Sequence, residues 1–369
     1  MENQLSRRRF TKTVLGASSL IAASRLANAA QPEMENKPLD KKLGIALVGL
    51  GYYSTDVLAP ALQETKNVKL TGIVTGTPAK EKKWQEKYGI PVKNTYNYET
   101  FDQIADNDDI DIIYVVLPNS MHAEYVIRAA KASKHVICEK PMAVTVEECD
   151  AMIKACRDNN VGLSIGYRMQ FEPHTQELMR YAEEKVNGNI TYITAHAGYF
   201  HTKAEQWKAK KEYGGGAIMD MGVYSINAAR YATGEEPISV TAQQFKTRPE
   251  VFKNVEETVT FQFDFPSGAV ANCMTSFSHS ISLLHVVAER GWTQLNPMSG
   301  YGGIKMTTRR GAVEFPQINQ QAAQMDEVAW CIANKQIMRV PGEEGRQDIK
   351  IIQAIYRSLS TGEKIKIAG

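Results

Sequence analysis

The feature that most constrains the fold is a glycine-rich turn that directly follows a short apolar run. Residues 43–48, LGIALV, predict a buried strand, and a helical pattern of apolar residues begins soon after the turn, over 57–62. Gly49 permits a tight turn, Gly51 lets the backbone approach a ligand closely, and the start of a helix attracts phosphate. Ser54 stands where a third glycine is usual, and it is still small. The segment therefore predicts a dinucleotide-binding turn made of Gly49, Leu50, Gly51, Tyr52, Tyr53 and Ser54.

Strand and helix patterns then alternate. A strand over 69–74 precedes a helix over 78–88, and an apolar strand within 109–117 precedes a helix over 123–132 and a strand over 135–138. Such alternation predicts a parallel sheet with right-handed crossovers, which we assign to a Rossmann domain over residues 43–165. Ligands on these sheets bind at the carboxyl ends of the strands. The residues expected to bind the cofactor there are Leu117, Pro118, Asn119, His122, Glu139 and Lys140.

The tip of the second strand indicates which dinucleotide binds. An Asp or Glu at this place would hold the ribose hydroxyl of NAD, but the tip is Thr75-Gly76-Thr77, with Lys80 close by. Hydroxyls and a cation suit a 2′-phosphate, so we favour NADP over NAD. The alternative is that the lysines form a solvated helix face, which we expect of Lys82 and Lys83.

Two segments supply candidate catalytic residues. In Glu139-Lys140-Pro141 the proline holds the preceding residue extended, which aims Lys140 out of the sheet. Three glycines, 214–216, precede a helix on which Asp220 and Tyr224, four residues apart, share a face. A nearby ammonium favours phenolate, so Lys140 would lower the pKa of Tyr224. Lys140, Asp220 and Tyr224 therefore form a plausible acid–base set. The alternatives are a surface ion pair between Glu139 and a cation at this strand end, and core-flanking roles for Asp220 and Tyr224.

The first 29 residues predict an export signal of the twin-arginine type. Residues 6–12, SRRRFTK, precede a mildly apolar run over 14–23 and a small-residue cleavage site at 27–29, ANA. The apolar run is shorter than the roughly 20 residues of a membrane-spanning helix, so we predict no membrane anchor after cleavage. The alternatives are a disordered basic N-terminus that contains Arg-Arg by chance and an uncleaved anchor. The expected location is the periplasm, reached in the folded state. Residues 30–42, polar with two prolines, predict a flexible arm.

Charge and cysteine content exclude several classes of protein. The formal net charge is +2, and removal of the basic residues 1–29 brings it to −2, so nothing indicates a nucleic acid or an anionic membrane as partner. The 5 cysteines include no Cys-x-x-Cys pair, and Cys149 and Cys156 share one face of a predicted helix, which indicates buried thiols rather than disulfides. The histidines have no convincing ligand spacing, so no metal site is predicted.

The chain resembles the Gfo/Idh/MocA oxidoreductases. The segments that carry the resemblance are GLGYYS, LPNSMHAEYVIRA, EKPMAVTVEEC, the GYR at 166–168, and GGGAIMDMGVYSIN. Within the family the chain is most similar to the periplasmic glucose–fructose oxidoreductases, because inositol-dehydrogenase-like members usually carry histidine where Tyr224 stands.

The resemblance implies a second domain, over residues 166–369, that binds substrate and carries a large, mostly antiparallel open sheet. The segments that fit its strands are 190–197, 238–246, 256–265, 269–276, 284–288 and 304–308. It further implies tightly held NADP, a homodimer or homotetramer built on the open sheet face, and sugars as substrates. Lys140, Asp220 and Tyr224 match the catalytic positions of the family, and Arg168 and Trp207 are expected beside the cofactor.

The leading hypothesis is a ping-pong sugar oxidoreductase. Tyr224, assisted by Lys140, would take the proton of the C1 hydroxyl of an aldose, hydride would pass to the nicotinamide, and a lactone would form. A second carbonyl sugar would then take the hydride and a proton from Tyr224. The alternatives are an NAD(P)-dependent sugar dehydrogenase or reductase with exchangeable cofactor, a glycosidase that uses a bound nicotinamide cofactor, and a sugar-binding protein on an inactive scaffold.

Overall fold

A computed structural model of the chain describes residues 38–367. The predicted export signal and most of the predicted arm lie outside these residues. Within the described range, no helix combines the length and the apolar character needed to cross a membrane.

The N-terminal sheet is parallel throughout, as predicted. Its strand order is β3-β2-β1-β4-β5-β6, so the chain turns in opposite directions on the two sides of β1. Alternate residues of β1 enter two apolar clusters, Ile45 and Leu47 one and Ala46 and Val48 the other, because helices cover both faces. The strands are β1 (Leu43–Val48), β2 (Val68–Val74), β3 (Thr95–Tyr96), β4 (Ile112–Val115), β5 (His135–Cys138) and β6 (Leu163–Ile165). The helices are α1 (Ala59–Glu64), α2 (Pro78–Tyr88), α3 (His122–Lys131) and α4 (Val146–Asp158).

The second sheet has nine strands and is mostly antiparallel, which confirms the predicted fold class. Among residues 38–367, β7 and β10 are the one neighbouring pair of this sheet that runs parallel, and the order is β14-β13-β12-β11-β7-β10-β9-β8-β15. The strands are β7 (Ile190–Gly198), β8 (Ser239–Phe245), β9 (Thr258–Asp264), β10 (Val270–Ser276), β11 (Ile281–Ala288), β12 (Gly291–Leu295), β13 (Met306–Thr308), β14 (Gly311–Val313) and β15 (Ile365–Lys366). The helices of this part are α5 (Pro173–Glu183), α6 (Val223–Thr233), α7 (Gln320–Asn334) and α8 (Gly342–Thr361).

Helix α7 returns to the parallel sheet. Its buried residues Met325, Val328 and Ala329 belong to the same apolar cluster as β1, and Gln324 donates to the carbonyl of Ile165 at 2.8 Å. Helix α7 lies in the predicted second domain, beyond the division at residue 165, yet it packs against the sheet of the first. The two predicted domains therefore share this apolar cluster.

The two helices expected at the site both begin with a π-helical turn. Tyr53–Leu58 leads into α1, and Ile218–Gly222 leads into α6. The first helix thus starts earlier than the apolar pattern over 57–62 indicated. All five cysteines are buried and unpaired, and Cys149 and Cys156 face the core from α4, as predicted.

Candidate active site

The glycine-rich turn is tightly bound on one side and open on the other. Gly49 has φ +90° and donates to the carbonyl of Val74 at 3.0 Å, and a Cβ on it would meet the Val116 carbonyl. The buried hydroxyl of Ser54 donates to the Gly49 carbonyl at 2.5 Å, so the serine stabilises the turn that a third glycine usually permits. A Cβ on Gly51, by contrast, would have no neighbouring atom within 4 Å. This open backbone fits the close approach of a pyrophosphate.

The tip of β2 carries hydroxyls and lies beside lysines. Thr75 is buried, and its hydroxyl accepts from the Thr77 amide at 3.2 Å. Lys80 Nζ donates to the Leu50 carbonyl at 2.7 Å, which joins α2 to the glycine turn. Lys83 also lines the open groove between them, whereas Lys82 pairs with Glu86 at 3.9 Å. Both lysines are exposed, as expected of a solvated face, and Lys83 also borders the groove.

The end of β4 is fixed to neighbouring segments by buried polar side chains. Leu117 is buried beside the turn, and after Pro118 the side chain of Asn119 donates to the Gly214 carbonyl at 2.7 Å. His122 has no exposed surface, and its two ring nitrogens lie 2.9 Å from the carbonyl oxygens of Leu117 and Pro141. Burial lowers the pKa of His122. We therefore correct the assignment of His122 as a cofactor contact: it ties the ends of β4 and β5 together.

Glu139 points inward and Lys140 points into the site. Glu139 is buried and accepts from the Tyr114 hydroxyl at 2.6 Å, and burial raises its pKa. Lys140 Nζ donates to the Asp220 carbonyl at 2.7 Å and lies 3.6 Å from Asp220 Oδ1 and 4.7 Å from the centre of the Tyr224 ring. Burial opposes the charge of Lys140, but Tyr224 and Asp220 outweigh it and raise the pKa of the ammonium. The lysine therefore stays charged between the two candidate acids.

Asp220 is surrounded by donors. It lies on the π-helical turn, and its Oδ2 accepts from the Tyr199 hydroxyl and from Lys208 Nζ, both at 2.9 Å. Burial would raise the pKa of this carboxyl, but Lys208 and Lys140 outweigh burial and lower it well below its usual range. Asp220 is therefore an ionised anchor that draws two lysines together.

Tyr224 carries the least satisfied polar group of the set. Its hydroxyl accepts one long hydrogen bond, from Arg168 Nη2 at 3.4 Å. Burial would raise the pKa of the phenol, but the charges of Arg168 and then Lys140 outweigh it and lower the pKa. Lys140 lowers the pKa of Tyr224, as predicted, and Arg168 lowers it further, by the larger amount. A phenol that has a lowered pKa and room for a further hydrogen bond can exchange a proton with a substrate.

Arg168 connects Tyr224 with the segment between β12 and β13. Its guanidinium donates to the carbonyls of Ser299 at 2.6 Å and Gly300 at 2.9 Å, and to the side chain of Gln320. It also lies 4.6 Å from the centre of the Tyr301 ring, while its buried Nε makes no hydrogen bond among residues 38–367. The buried charge is therefore held mostly by main-chain oxygens.

Sequence reasoning missed three contributors: Lys208, Tyr199 as a partner of Asp220, and Tyr301. They lie on irregular segments without hydrophobic periodicity, and only the flanking glycines of Tyr301 set any of them apart. The predicted Trp207 is half-buried at the start of a short 3₁₀ turn, 5.8 Å from Lys208 Nζ. It lies next to the Asp220 side of the site.

The structure thus brings Lys140, Asp220, Tyr224 and Arg168 together beside the glycine turn. The Tyr53 and Tyr301 rings lie 6.0 Å apart, and the Tyr53 hydroxyl accepts from Gln321 Nε2 at 3.4 Å. Tyr52 is exposed on the same turn. Within the described range, no three His, Cys, Asp or Glu side chains are arranged so that they could hold a metal ion.

Two family profiles match the chain. One, described as an oxidoreductase family with an NAD-binding Rossmann fold, matches residues 43–167, and the other, a GFO/IDH/MocA C-terminal domain, matches residues 175–293.

Known proteins are similar along almost the whole chain. A structure of aldose-aldose oxidoreductase from Caulobacter crescentus complexed with glycerol is 40% identical, with a TM-score of 0.86, over 88% of this chain and all of the other. A D-xylose 1-dehydrogenase [NADP(+)] of Haloarcula marismortui is 27% identical over 90% of this chain and 95% of its own length. A D-glucoside 3-dehydrogenase of Escherichia coli is 24% identical over 90% of this chain. Taken with the Lys140, Asp220 and Tyr224 geometry, these matches make the chain a member of the Gfo/Idh/MocA oxidoreductase family, a sugar oxidoreductase with an NAD(P)-binding Rossmann domain.

Proposed function

We propose that the chain is an exported sugar oxidoreductase that keeps NADP bound, oxidises an aldose at C1 to a lactone, and then reduces a second carbonyl sugar. The observation that carries the proposal is the environment of Tyr224, whose pKa is lowered by Arg168 and Lys140 and whose hydroxyl makes, within residues 38–367, a single long hydrogen bond. The 40% identity with an aldose-aldose oxidoreductase supports the pairing of two sugars.

The predicted export supports a resident cofactor. Nicotinamide cofactors are cytoplasmic metabolites, so an enzyme that works in the periplasm has to bring its own and restore it on site. The twin-arginine pattern of residues 6–12 is typical of the route that carries folded proteins. A second sugar that returns the cofactor to its starting state meets this requirement without a soluble cofactor pool.

The glycine turn fits a dinucleotide because a Cβ on Gly51 would have no neighbouring atom within 4 Å, which leaves room for a pyrophosphate beside the backbone. Gly49 to Ser54 would hold the pyrophosphate, and Thr75, Thr77 and Lys80 favour the 2′-phosphate of NADP because no carboxylate stands at the tip of β2. When bound, the nicotinamide supplies the redox chemistry, accepting a hydride from one sugar and giving it to the other.

The chain's own residues supply the proton chemistry. Tyr224 Oη, as phenolate, takes the proton from the C1 hydroxyl of the aldose, and it later returns that proton to the carbonyl oxygen of the second sugar. Arg168 and Lys140 stabilise the phenolate in the first step and keep the phenol acidic enough for the second. General acid–base catalysis of this kind accelerates a reaction by roughly 10²–10⁴-fold.

Asp220 has a positioning part in this proposal. Because Oδ2 already accepts from Tyr199 and Lys208, Oδ1 is the oxygen left to face Lys140 and a sugar hydroxyl. We assign the orienting of a substrate hydroxyl to this one oxygen of the carboxylate.

A second candidate is a sugar dehydrogenase with exchangeable cofactor. It is favoured by the match to a D-xylose 1-dehydrogenase [NADP(+)], which extends over 90% of this chain. Both candidates use the same Tyr224 chemistry, and they differ in whether the cofactor leaves between turnovers.

The experiment that separates them begins with extensive dialysis of the mature protein, followed by denaturation and identification of the released molecules. We expect one equivalent of NADP(H), and turnover of a paired aldose and carbonyl sugar without added cofactor. An empty protein that needs added cofactor would favour the exchangeable dehydrogenase. Release of NAD(H) would overturn the assignment of NADP.

We also propose a homodimer or homotetramer that uses the open face of the nine-stranded sheet. Tyr192 is 39% exposed on β7, and His285 and Trp292 stack at 5.6 Å on the neighbouring strands β11 and β12. Light scattering of the mature protein, with Trp292→Glu as the disrupting variant, is expected to give an oligomer that the substitution dissociates; a monomeric mature protein would contradict this assembly.

A further inference from the structure

The segment between β12 and β13, residues 296–305, reaches from the second sheet to the glycine turn of the first. Its central residue is Tyr301, which lies between two glycines and is half-exposed. The ring is 6.0 Å from the ring of Tyr53, on the glycine turn, and 4.6 Å from the guanidinium of Arg168. No hydrogen bond of its hydroxyl is present within residues 38–367, so the ring makes the contact.

The segment is braced on the side of the second sheet. The amides of Met298 and Ser299 donate to Ser282 Oγ at 3.1 Å each, and the carbonyl of Ser282 also accepts from Met298 at 3.1 Å. The amide of Gly303 donates to Gln317 Oε1 at 2.8 Å. Gly303 has φ +69°, and a Cβ on Gly300 would lie 2.6 Å from the Gly302 carbonyl, so a compact turn holds Tyr301 in place.

Arg168 joins this segment to the catalytic group. The same guanidinium donates to Ser299 and Gly300 and lies 3.4 Å from the Tyr224 hydroxyl. The buried Gln320, at the start of α7, donates to the Gly300 carbonyl at 3.3 Å and accepts from Arg168. The segment is therefore fixed at both ends, and its aromatic contact with the nucleotide turn is the pair of Tyr301 and Tyr53.

We infer that residues 296–305 act as a strap that closes the cofactor cleft, and that the Tyr301 ring is the residue that slows cofactor release. The inference deepens the proposed function and rests on it, since it says which residue keeps NADP in place. Removing the Tyr301 ring removes both the Tyr301–Tyr53 and the Tyr301–Arg168 contacts, while the hydrogen bonds of Arg168 to Ser299 and Gly300 keep the rest of the segment in place. Aromatic pairs and cation–π contacts each contribute enough to change a rate by severalfold, and together they predict about a tenfold change.

The test uses the mature, cofactor-loaded protein and follows release directly. Wild type, Tyr301→Ala and Tyr301→Phe are diluted into cofactor-free buffer, and the protein-bound NADP(H) that remains is measured over time after rapid desalting. We expect release from Tyr301→Ala about tenfold faster than from wild type. Tyr301→Phe should release at nearly the wild-type rate, because it retains the ring. Gln317→Ala, which removes a brace remote from the cleft, should lie between wild type and Tyr301→Ala.

The outcomes separate this inference from the proposed function. A wild-type protein that holds no cofactor at the outset would contradict the resident-cofactor proposal itself. A wild type that retains its cofactor, with Tyr301→Ala equally slow or slower, would overturn the strap and leave the proposal standing. Release from Tyr301→Phe as fast as from Tyr301→Ala would also overturn it. Thermal unfolding of each loaded variant checks that the substitution leaves the fold intact.

Discussion

Asp220 and Tyr224 are four residues apart, yet their surroundings differ in a way that assigns their roles. The carboxylate accepts two hydrogen bonds at 2.9 Å and faces a second lysine, whereas the phenol accepts one hydrogen bond at 3.4 Å. Cations lower the pKa of both groups, but only Tyr224 keeps room to give and take a proton. A carboxylate that already accepts several hydrogen bonds positions its neighbours. A phenol with a lowered pKa and room for a further hydrogen bond is suited to proton transfer.

A third acid shows that nearby cations, rather than burial, set the direction of these pKa shifts. Glu256 is buried near the same turn, and its Oε1 accepts from the Ile218 amide at 2.8 Å and from the Tyr356 hydroxyl at 3.2 Å. No lysine or arginine pairs with it within 38–367, and burial raises its pKa to about 7. Two buried carboxylates at the start of one helix thus have pKa values shifted in opposite directions.

The largest expected effect is that of Tyr224→Phe. Loss of the hydroxyl removes the proton acceptor, so kcat for a sugar pair should fall by roughly 10²–10⁴-fold while cofactor content is unchanged. Steady-state kinetics with a cofactor count measures both. Tyr181→Phe, which deletes a hydroxyl on α5, is the control and should behave as wild type. Near-wild-type turnover of Tyr224→Phe would remove this tyrosine from the mechanism.

Asp220→Asn tests the anchoring role. The substitution leaves Lys140 and Lys208 without their shared counter-charge, so the free energy of unfolding should fall by about 3 kcal/mol, as on breaking a buried ion pair. Denaturant titration measures it. Asp150→Asn, which breaks the more exposed pair with Arg346, is the control and should cost at most about 1 kcal/mol. Equal losses for the two variants would contradict a special role for Asp220.

Glu256→Gln tests the comparison between the carboxylates through pH. The folded pKa of Glu256 lies above its usual value, so its contribution to stability is fully present below the usual pKa and is lost as the pH rises through about 7. Between about pH 5 and 8 the wild type should lose about 2 kcal/mol that the variant does not lose. The adjacent Glu257, whose pKa is lowered to about 2, is the matched control: Glu257→Gln should leave this slope unchanged. A slope that survives Glu256→Gln would refute the assignment.

The smallest effect separates the two lysines. Lys140 contacts both acids, whereas Lys208 contacts only Asp220 of the pair. Because loss of a cation raises the pKa of a phenol, the acid-side limb of aldose oxidation should move up by about one pH unit in Lys140→Met. It should not move in Lys208→Met. The pH profile of kcat measures the shift, and equal shifts in the two variants would contradict the division of roles.

Much of the fold of the parallel-sheet half could be predicted from the sequence. Runs such as 43–48 and 135–138 are buried on both faces, so their apolar character predicts strands directly, and the turn chemistry of Gly49 marks the ligand edge of the sheet. Lys140, Asp220 and Tyr224 were also identifiable, because each follows a distinctive local motif.

The rest of the site depends on contacts that local sequence does not encode. Lys208 contacts Asp220 from an irregular loop, and Tyr301 contacts Tyr53 from a distant part of the chain. No hydrophobic periodicity in the sequence predicts either contact. His122 has the position of a ligand residue, but the fold buries its ring between the carbonyl oxygens of Leu117 and Pro141, each 2.9 Å from a ring nitrogen. Short edge strands such as β14 carry too few buried side chains to produce an alternating pattern.

The most direct test of a Tyr224-driven cycle between two sugars is the absorbance of protein-bound nicotinamide through one half-reaction at a time. The dialysed mature protein is mixed with an aldose alone and then with a second carbonyl sugar, with no free cofactor present. We expect that the reduced form appears, persists after removal of the first sugar, and disappears when the second is added, and that Tyr224→Phe slows both steps. Absorbance that stays unchanged until free NADP is supplied, or a variant that cycles as fast as wild type, would contradict it.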